Sequence, residues 1–400
     1  MPGTSGELAI VDVALSEGVQ RYSIPIDPAS DHPLLEPAVG SAYWPALVSA
    51  IADGASLAGA GGRLEAAPDA IPAIGPTPSR RITTEQVNTS IVLGERVVLK
   101  LYRRLFEGVH PEPEVNRELR RIGSERVPVY RGSLVYRGKR GGSTAVAFVQ
   151  DLIREAQDLW VAIRQGLEAT LTEAVEPKIA DGVFRDVRAG ARGLGELSRD
   201  LGDAFGRRQA DADTCRVWRT EARELSDTLG PAFRGLLPDD ELLAIRGRLA
   251  GAIDKLLRAA GSPITRIHGD LHASQMCIRD GAISVVDFEG SPFRPLDRRR
   301  EPDSPLRDLA GYLLSLEHIA RLASEAAGRG VTGAFPDEAA VALWHAGLEA
   351  YEDEAGGIDR RLLDVFVLLR ECQELLFATR VLPSWLPLPR ATLRRMLSAS

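Results

Sequence analysis

The chain has 400 residues, 44% of them apolar and 26% charged, with 56 acidic against 49 basic side chains and a formal net charge of −7. That length exceeds one ordinary compact core, so two or three lobes are expected. The acidic balance, with only short basic clusters, argues against a nucleic-acid partner and leans toward a cationic small substrate. No run of about 18 apolar residues is present to span a membrane, and the first residues lack a basic segment followed by an apolar one. The three cysteines, Cys215, Cys277 and Cys372, are far apart and lack a CxxC spacing, so neither a disulfide framework nor a zinc site is expected, and a reducing cytoplasm fits.

Residues 8–26 read as a hairpin turning at Ser16-Glu17-Gly18. A helix is expected around Tyr43, Trp44, Leu47, Val48 and Ile51. Residues 53–80 are rich in Gly, Ala and Pro and read as a linker or loose edge, so 1–80 is expected to be a small N-terminal cap. From 81 to 152 the signals are mostly strands. Ser90–Leu93 and Arg96–Tyr102 flank Gly94-Glu95 as a hairpin, and Pro111 and Pro113 open a helix over Glu114–Arg121. Val127–Tyr130 and Ser133–Tyr136 read as short strands, and Thr144–Gln150 as a buried one. From 153 to 400 the pattern is mainly helical: Leu194, Leu197 and Leu201, then Leu242, Ile245, Leu249, Ile253 and Leu256, recur at helical spacing. Two strands interrupt it, at Ile264–Ile267 and Ile283–Val286. A β-rich lobe followed by a helical lobe is an α+β, two-lobe plan.

The sharpest signal is His268-Gly269-Asp270-Leu271-His272-Ala273-Ser274-Gln275, followed by Asp287-Phe288-Glu289-Gly290. Each acid follows a short apolar strand, with an amide side chain between them. Phosphoryl transfer needs this kind of set: a carboxylate facing the nucleophilic hydroxyl, and separate oxygen ligands for a divalent cation. Asp270 is the candidate catalytic residue that accepts or orients the hydroxyl proton. Gln275 and Asp287 are candidate Mg²⁺ ligands, with Glu289 as a further acid. His268 and His272 read more readily as structural bracing of the loop.

These residues resemble the aminoglycoside phosphotransferase-like kinases, and within them the actinobacterial maltokinase-like group. The resemblance also runs through Thr84–Ser90, Lys100–Arg104, Glu114–Arg117, Arg299–Asp308 and Pro383–Pro387, and covers about residues 80–395 well. It implies a bilobal protein-kinase-like fold that binds ATP and Mg²⁺. It implies that Lys100 meets the ATP phosphates and is held by a helix carboxylate, Glu114, or Glu118 one turn on. Gln86, Asn88, Thr89 and Ser90 stand where related kinases carry a glycine-rich phosphate loop, so polar side chains and backbone N–H groups are expected to do that work. The stretch 147–152, with Gln150 and Leu152, is expected to hydrogen-bond adenine. Asp308, at a helix N-terminus, is expected to brace the catalytic loop.

The resemblance implies a sugar hydroxyl as acceptor, either in maltose, giving maltose 1-phosphate, or in an amino sugar such as glucosamine. The segment Arg370–Arg380 favours the second. Maltokinases carry a Tyr-rich stretch here, whereas this chain places Glu371 and Glu374 on one helical face. Two carboxylates suit an ammonium group, although a solvated helix face has the same pattern. Trp385 is a candidate for stacking on a sugar ring, and Asp303 and Arg307 are further acceptor-side candidates. An aminoglycoside acceptor and a nucleotide-binding pseudokinase are the remaining alternatives. Lys100, Asp270, Gln275 and Asp287 argue against the latter. The oligomeric state is left open.

Overall fold

The computed structural model describes residues 6–16, 18–27, 36–74, 78–82, 87–139, 141–173, 178–233 and 236–398. Glu17 and Gln86, both singled out above, lie outside the described residues. The chain forms two compact units: residues 1–155 with 292–300, and residues 156–291 with 301–400.

The first unit is built on β-strands. Strands β1 (Glu7–Leu15) and β2 (Gly18–Ile26) form the expected hairpin, with Glu7 opposite Ile26. Helix α1 (Tyr43–Ala52) drives Trp44, Leu47, Val48 and Ile51 into the core. Strands β3 (Ser56–Ala58), β4 (Gly62–Pro68), β5 (Ser79–Arg81), β6 (Thr89–Leu93) and β7 (Val97–Leu101) follow. After them come β8 (Arg104–Leu105), helix α2 (Pro111–Arg121), β9 (Tyr130–Gly138) and β10 (Ser143–Asp151). A seven-stranded sheet runs in the order β3-β4-β9-β10-β7-β6-β5, and β1-β2-β8 form a second sheet. Every residue of β6 and β7 is buried. Their β-branched and leucine side chains pack with α1 into one apolar cluster that includes Ile91, Leu99, Phe148 and Val149. Burial of this kind is the main stabilising term of such a layer.

Two details differ from the sequence reading. The Gly/Ala/Pro-rich stretch 53–80 is not a bare linker: β3 and β4 lie within it, and β4 pairs with β9 from Gly62–Gly138 to Pro68–Gly132. Strand propensity is a weak preference that a waiting sheet edge overrides. Gly62 is required here, since a Cβ would stand 2.2 Å from the Arg137 carbonyl oxygen. The two short strands expected around 127–136 are one, β9, with register shifts against β10.

The second unit is mainly helical. It comprises β11 (Gln157–Asp158), α3 (Leu159–Glu173), α4 (Asp181–Phe205), β12 (Arg208–Gln209), α5 (Ala212–Phe233), α6 (Asp239–Leu256) and β13 (Pro263–Ile264). Then come β14 (Met276–Arg279), β15 (Ala282–Val285), α7 (Leu306–Ala326), α8 (Ala334–Ala355), α9 (Arg360–Arg380) and α10 (Pro387–Ser398). Helix α7 is buried on nearly all sides and forms the axis of the unit. Of the expected strand 264–267 only Ile264 is in a ladder, as part of β13, while β14, unread in the sequence, pairs with both β11 and β15. No helix among the described residues is long and apolar enough to cross a membrane.

Candidate active site

In the first unit, alternation along β7 puts Lys100 and the following Tyr102 on the same side of the backbone. Both reach Glu112 of α2. Lys100 Nζ lies 3.0 Å from one carboxylate oxygen, and the Tyr102 hydroxyl donates to that oxygen at 2.8 Å. The lysine and glutamate side chains are 8% and 2% exposed, so the ion pair is buried. The local sequence explains the placement. His110 caps α2 by accepting the Glu112 N–H, Pro111 occupies the first turn, and His110 stacks on Tyr102 with ring centroids 4.0 Å apart. This corrects the expectation for Glu114. Residues two apart on a helix are rotated by about 200°, so Glu114 faces away and pairs with Arg300 at 2.9 Å. Glu118, the fallback, pairs with Arg121 on the surface.

The other nucleotide-side candidates are tightly held. Asn88 and Thr89 are buried, and their side-chain oxygens accept the Arg103 backbone N–H and guanidinium. Ser90 stands opposite Lys100 in the β6–β7 ladder. Gln150 pairs with Val98, and the Leu152 N–H donates to the Arg96 carbonyl at 2.8 Å, which commits that amide to the sheet.

In the second unit, the loop carrying Asp270 is fixed from several sides. The N–H groups of His268 and Gly269 both donate to the Asp308 carboxylate. Burial pushes the Asp308 pKa up, against the pull of the two amides. His268 is buried against Phe288 and bonds through Nε2 to the Val286 carbonyl at 2.9 Å. A carbonyl only accepts, so Nε2 carries the hydrogen. Nδ1 is then free of hydrogen to accept the Asp270 N–H at 3.3 Å. Gly269, at φ +84°, makes the turn. Gly311 on α7 lets the loop settle, since a Cβ there would meet the Leu271 carbonyl oxygen at 2.1 Å.

The expected metal ligands converge. The Gln275 amide donates to Asp287 Oδ2 at 3.0 Å, and the Val286 N–H donates to the Gln275 carbonyl. The carboxylate oxygens of Asp287 and Glu289 lie within 4.8 Å of one another. Asp287 is at φ +69°, a conformation that non-glycine residues adopt rarely and that gathers at functional sites. Carboxylate and amide oxygens are the hard donors that Mg²⁺ takes, so this donor set fits that ion. His272 touches both Ser274 and Gln275, and burial lowers its pKa.

On the acceptor side the structure sorts the candidates. Asp270 Oδ1 accepts from Arg370 at 2.7 Å, and the same guanidinium pairs with Glu374 at 2.8 Å. Arg370, which the sequence reading did not single out, is the residue that joins these two candidates. It stood in the inspected segment, but its reach across 100 positions to Asp270 has no local signal. Glu371, by contrast, is fully buried and bonds to His318 at 3.0 Å. Burial alone would lower the His318 pKa; the Glu371 carboxylate overrides this and raises it. His318 meets the ring of Trp385 edge-on, with Trp160 on another side of that indole. Asp303 and Arg307 are spent elsewhere. Asp303 is buried, pairs through its backbone with Thr265 and through its side chain with Arg307, and Arg307 covers Phe366 and reaches Glu221. They tie the strand before the loop to the start of α7.

Residues 80–295, more than half of the chain, match the family model described as the phosphotransferase enzyme family. The chain belongs to that family. It is 29% identical to a glucosamine kinase from Streptacidiphilus jiangxiensis over 424 aligned residues, covering 98% of this chain and 89% of the relative. It is also 29% identical to a glucosamine kinase from Mycolicibacterium smegmatis over 328 residues, covering 80% of this chain and 79% of the relative. Among solved structures, a glucosamine kinase in complex with glucosamine, ADP and inorganic phosphate superimposes with a TM-score of 0.77 at 25% identity, covering 98% of this chain and 92% of that one. The fold is the α+β, kinase-like one expected. Within this phosphotransferase, the matched stretch 80–295 carries Lys100, Glu112, Asp270, Gln275 and Asp287, whereas Arg370 and Glu374 lie beyond it on α9.

Proposed function

We propose that this phosphotransferase moves the γ-phosphoryl group of ATP to a hydroxyl of glucosamine. The observation that carries the reading is a pair of carboxylates, Asp270 from the loop and Glu374 from α9, held on the two arms of the Arg370 guanidinium. Such a cluster suits an acceptor with both a hydroxyl and an ammonium group. The names of the relatives, which align over most of the chain, support the same choice.

In this reading Asp270 accepts the hydrogen bond of the attacking hydroxyl and aims its oxygen at the γ-phosphorus. Lys100, fixed by Glu112 and Tyr102, binds the nucleotide phosphates, and the stretch 147–152 receives adenine. Asp287 and Gln275, with Glu289, would hold Mg²⁺, which when bound neutralises phosphate charge. Glu374 takes the acceptor's ammonium group and Trp385 offers a ring face to the sugar. All three cysteines are unpaired, in keeping with a reducing cytoplasm.

The test is a coupled turnover assay with ATP and Mg²⁺ on glucosamine, glucose, maltose and an aminoglycoside. Glucosamine should give the highest kcat/KM. Turnover of maltose alone would assign a maltokinase, and nucleotide binding without transfer to any acceptor would leave a pseudokinase.

A further inference from the structure

The cluster at Asp270 contains a group that a phosphoryl acceptor site does not need for chemistry: a cation pressed against the carboxylate that must act. Arg370 is 15% exposed. Its Nη1 donates to Asp270 Oδ1 and its Nη2 pairs with Glu374 Oε1, at 2.7 and 2.8 Å. A guanidinium is planar and presents its donors in a rigid fork, so two carboxylates on separate arms are fixed in separation and in orientation. The contacts use one oxygen of each carboxylate. Oδ2 of Asp270 and Oε2 of Glu374 stay outside these bonds, on side chains that are 27% and 20% exposed.

We infer that Arg370 is a positioning residue that also sets acceptor choice: it locks Asp270 and Glu374 into one geometry and leaves their cluster with a single negative charge, which an aminated acceptor cancels and a neutral sugar does not. This rests on the glucosamine reading and gives it a mechanism. Two carboxylates with no cation between them would repel, and one would take a proton. With Arg370 in place both are held still.

The other charged and titratable groups around the guanidinium leave this balance standing. Glu371, its neighbour on α9, is bonded to His318 from α7. His272, across from it on the loop, is half-buried with its pKa lowered by burial. His268 is held by Val286 and by the Asp270 N–H. The charge facing the acceptor therefore comes from Asp270, Glu374 and Arg370.

The experiment compares wild type, Arg370→Gln and Arg370→Lys on glucosamine and on glucose, which lacks the ammonium group. Nucleotide affinity and thermal melting are measured in parallel. Arg370→Gln should lower kcat on glucosamine by about a hundredfold while nucleotide affinity changes less than threefold. Arg370→Lys keeps the charge but not the fork. It should lose about tenfold in kcat and part of the preference for glucosamine over glucose. If Arg370→Gln does not fold, the lysine variant alone decides. Wild-type preference for glucosamine with unchanged kcat and acceptor ratio in the variants that fold overturns the role of Arg370. Wild type with no turnover of glucosamine overturns the substrate reading first, a distinguishable result.

Discussion

Asp308 grips Gly269 from the first turn of α7: its Oδ1 accepts the Gly269 N–H at 2.8 Å, while its Oδ2 takes the neighbouring His268 N–H at the same distance. The loop that aims Asp270 is thus held by a helix rather than by its own strand. Asp308→Asn keeps one acceptor oxygen and presents an NH₂ where the second was. One buried loop amide loses its partner, at a cost of about 1–3 kcal/mol. The thermal midpoint should fall, and kcat should drop by up to about 10²-fold through misplacement of Asp270, with nucleotide affinity little changed. Wild-type kcat together with a wild-type melting curve would contradict the bracing role.

Asp270→Asn removes the carboxylate proposed to receive the hydroxyl hydrogen bond. General-base groups of this kind contribute about 10²–10⁴-fold, and a loss of that size in kcat is expected. Nucleotide binding, followed by calorimetry, should survive. Asp287→Ala should show the reverse emphasis, with weakened binding of Mg²⁺ and ATP together. An Asp270→Asn enzyme that turns over normally removes the assigned role.

Glu112 and Glu114 separate cleanly by experiment. Glu112→Gln removes the carboxylate that Lys100 meets at 3.0 Å and should raise the KM for ATP. Glu114→Gln weakens a bond to Arg300, whose side chain is 36% exposed, and partly exposed pairs contribute about 0–1 kcal/mol. A Glu114→Gln variant with the larger rise in nucleotide KM would reverse the assignment.

Gly311→Ala places a methyl group against the Leu271 carbonyl, a backbone atom that cannot swing aside. In an exposed helix this exchange would stabilise. Here overpacking should cost about 1–3 kcal/mol and lower kcat, because Leu271 adjoins Asp270. Circular dichroism melts and kcat together provide the check; an enzyme more stable than wild type with full activity would show that the loop yields.

Glu317 anchors the helical unit. It is fully buried and pairs with Arg321 at 2.7 Å and Arg395 at 2.5 Å. Burial raises its pKa, but the two guanidinium groups win and hold it below the usual 4.5. With the folded pKa below the unfolded one, the pair's stabilisation is complete above pH 4.5 and is lost as the pH falls through the depressed folded value. Glu317→Ala should cost about 3–5 kcal/mol and flatten that acid dependence in denaturant titrations. A variant as stable as wild type at pH 7 would count against the anchor.

The linear part of the site was legible in the sequence. Asp270, Gln275 and Asp287 lie within one short stretch, so their spacing alone marks them as candidates, although of the strand expected before Asp270 only Ile264 is in a ladder. Residues set by distant packing were not. Which carboxylate meets Lys100 depends on the rotational phase of α2 against β7, and a shift of two residues separates Glu112 from Glu114. Glu371 and Glu374 look equivalent on a helical wheel, yet one is sealed against His318 and the other opens toward Asp270's partner. β3 and β4 were invisible for a related reason: their composition says loop, and only the edge of β9 makes them strands.

The Glu114–Arg300 bond joins positions 186 residues apart inside one unit, because residues 292–300 leave the helical part of the chain and rejoin the β-rich one. During synthesis the ribosome must therefore make about three-quarters of the protein before the β-rich half has all of its pieces. A fragment cut after residue 155 would look like a tidy domain in the sequence, yet it would emerge with an acid lacking its counterpart. Anyone expressing that half alone would leave out the nine-residue return segment that belongs to it.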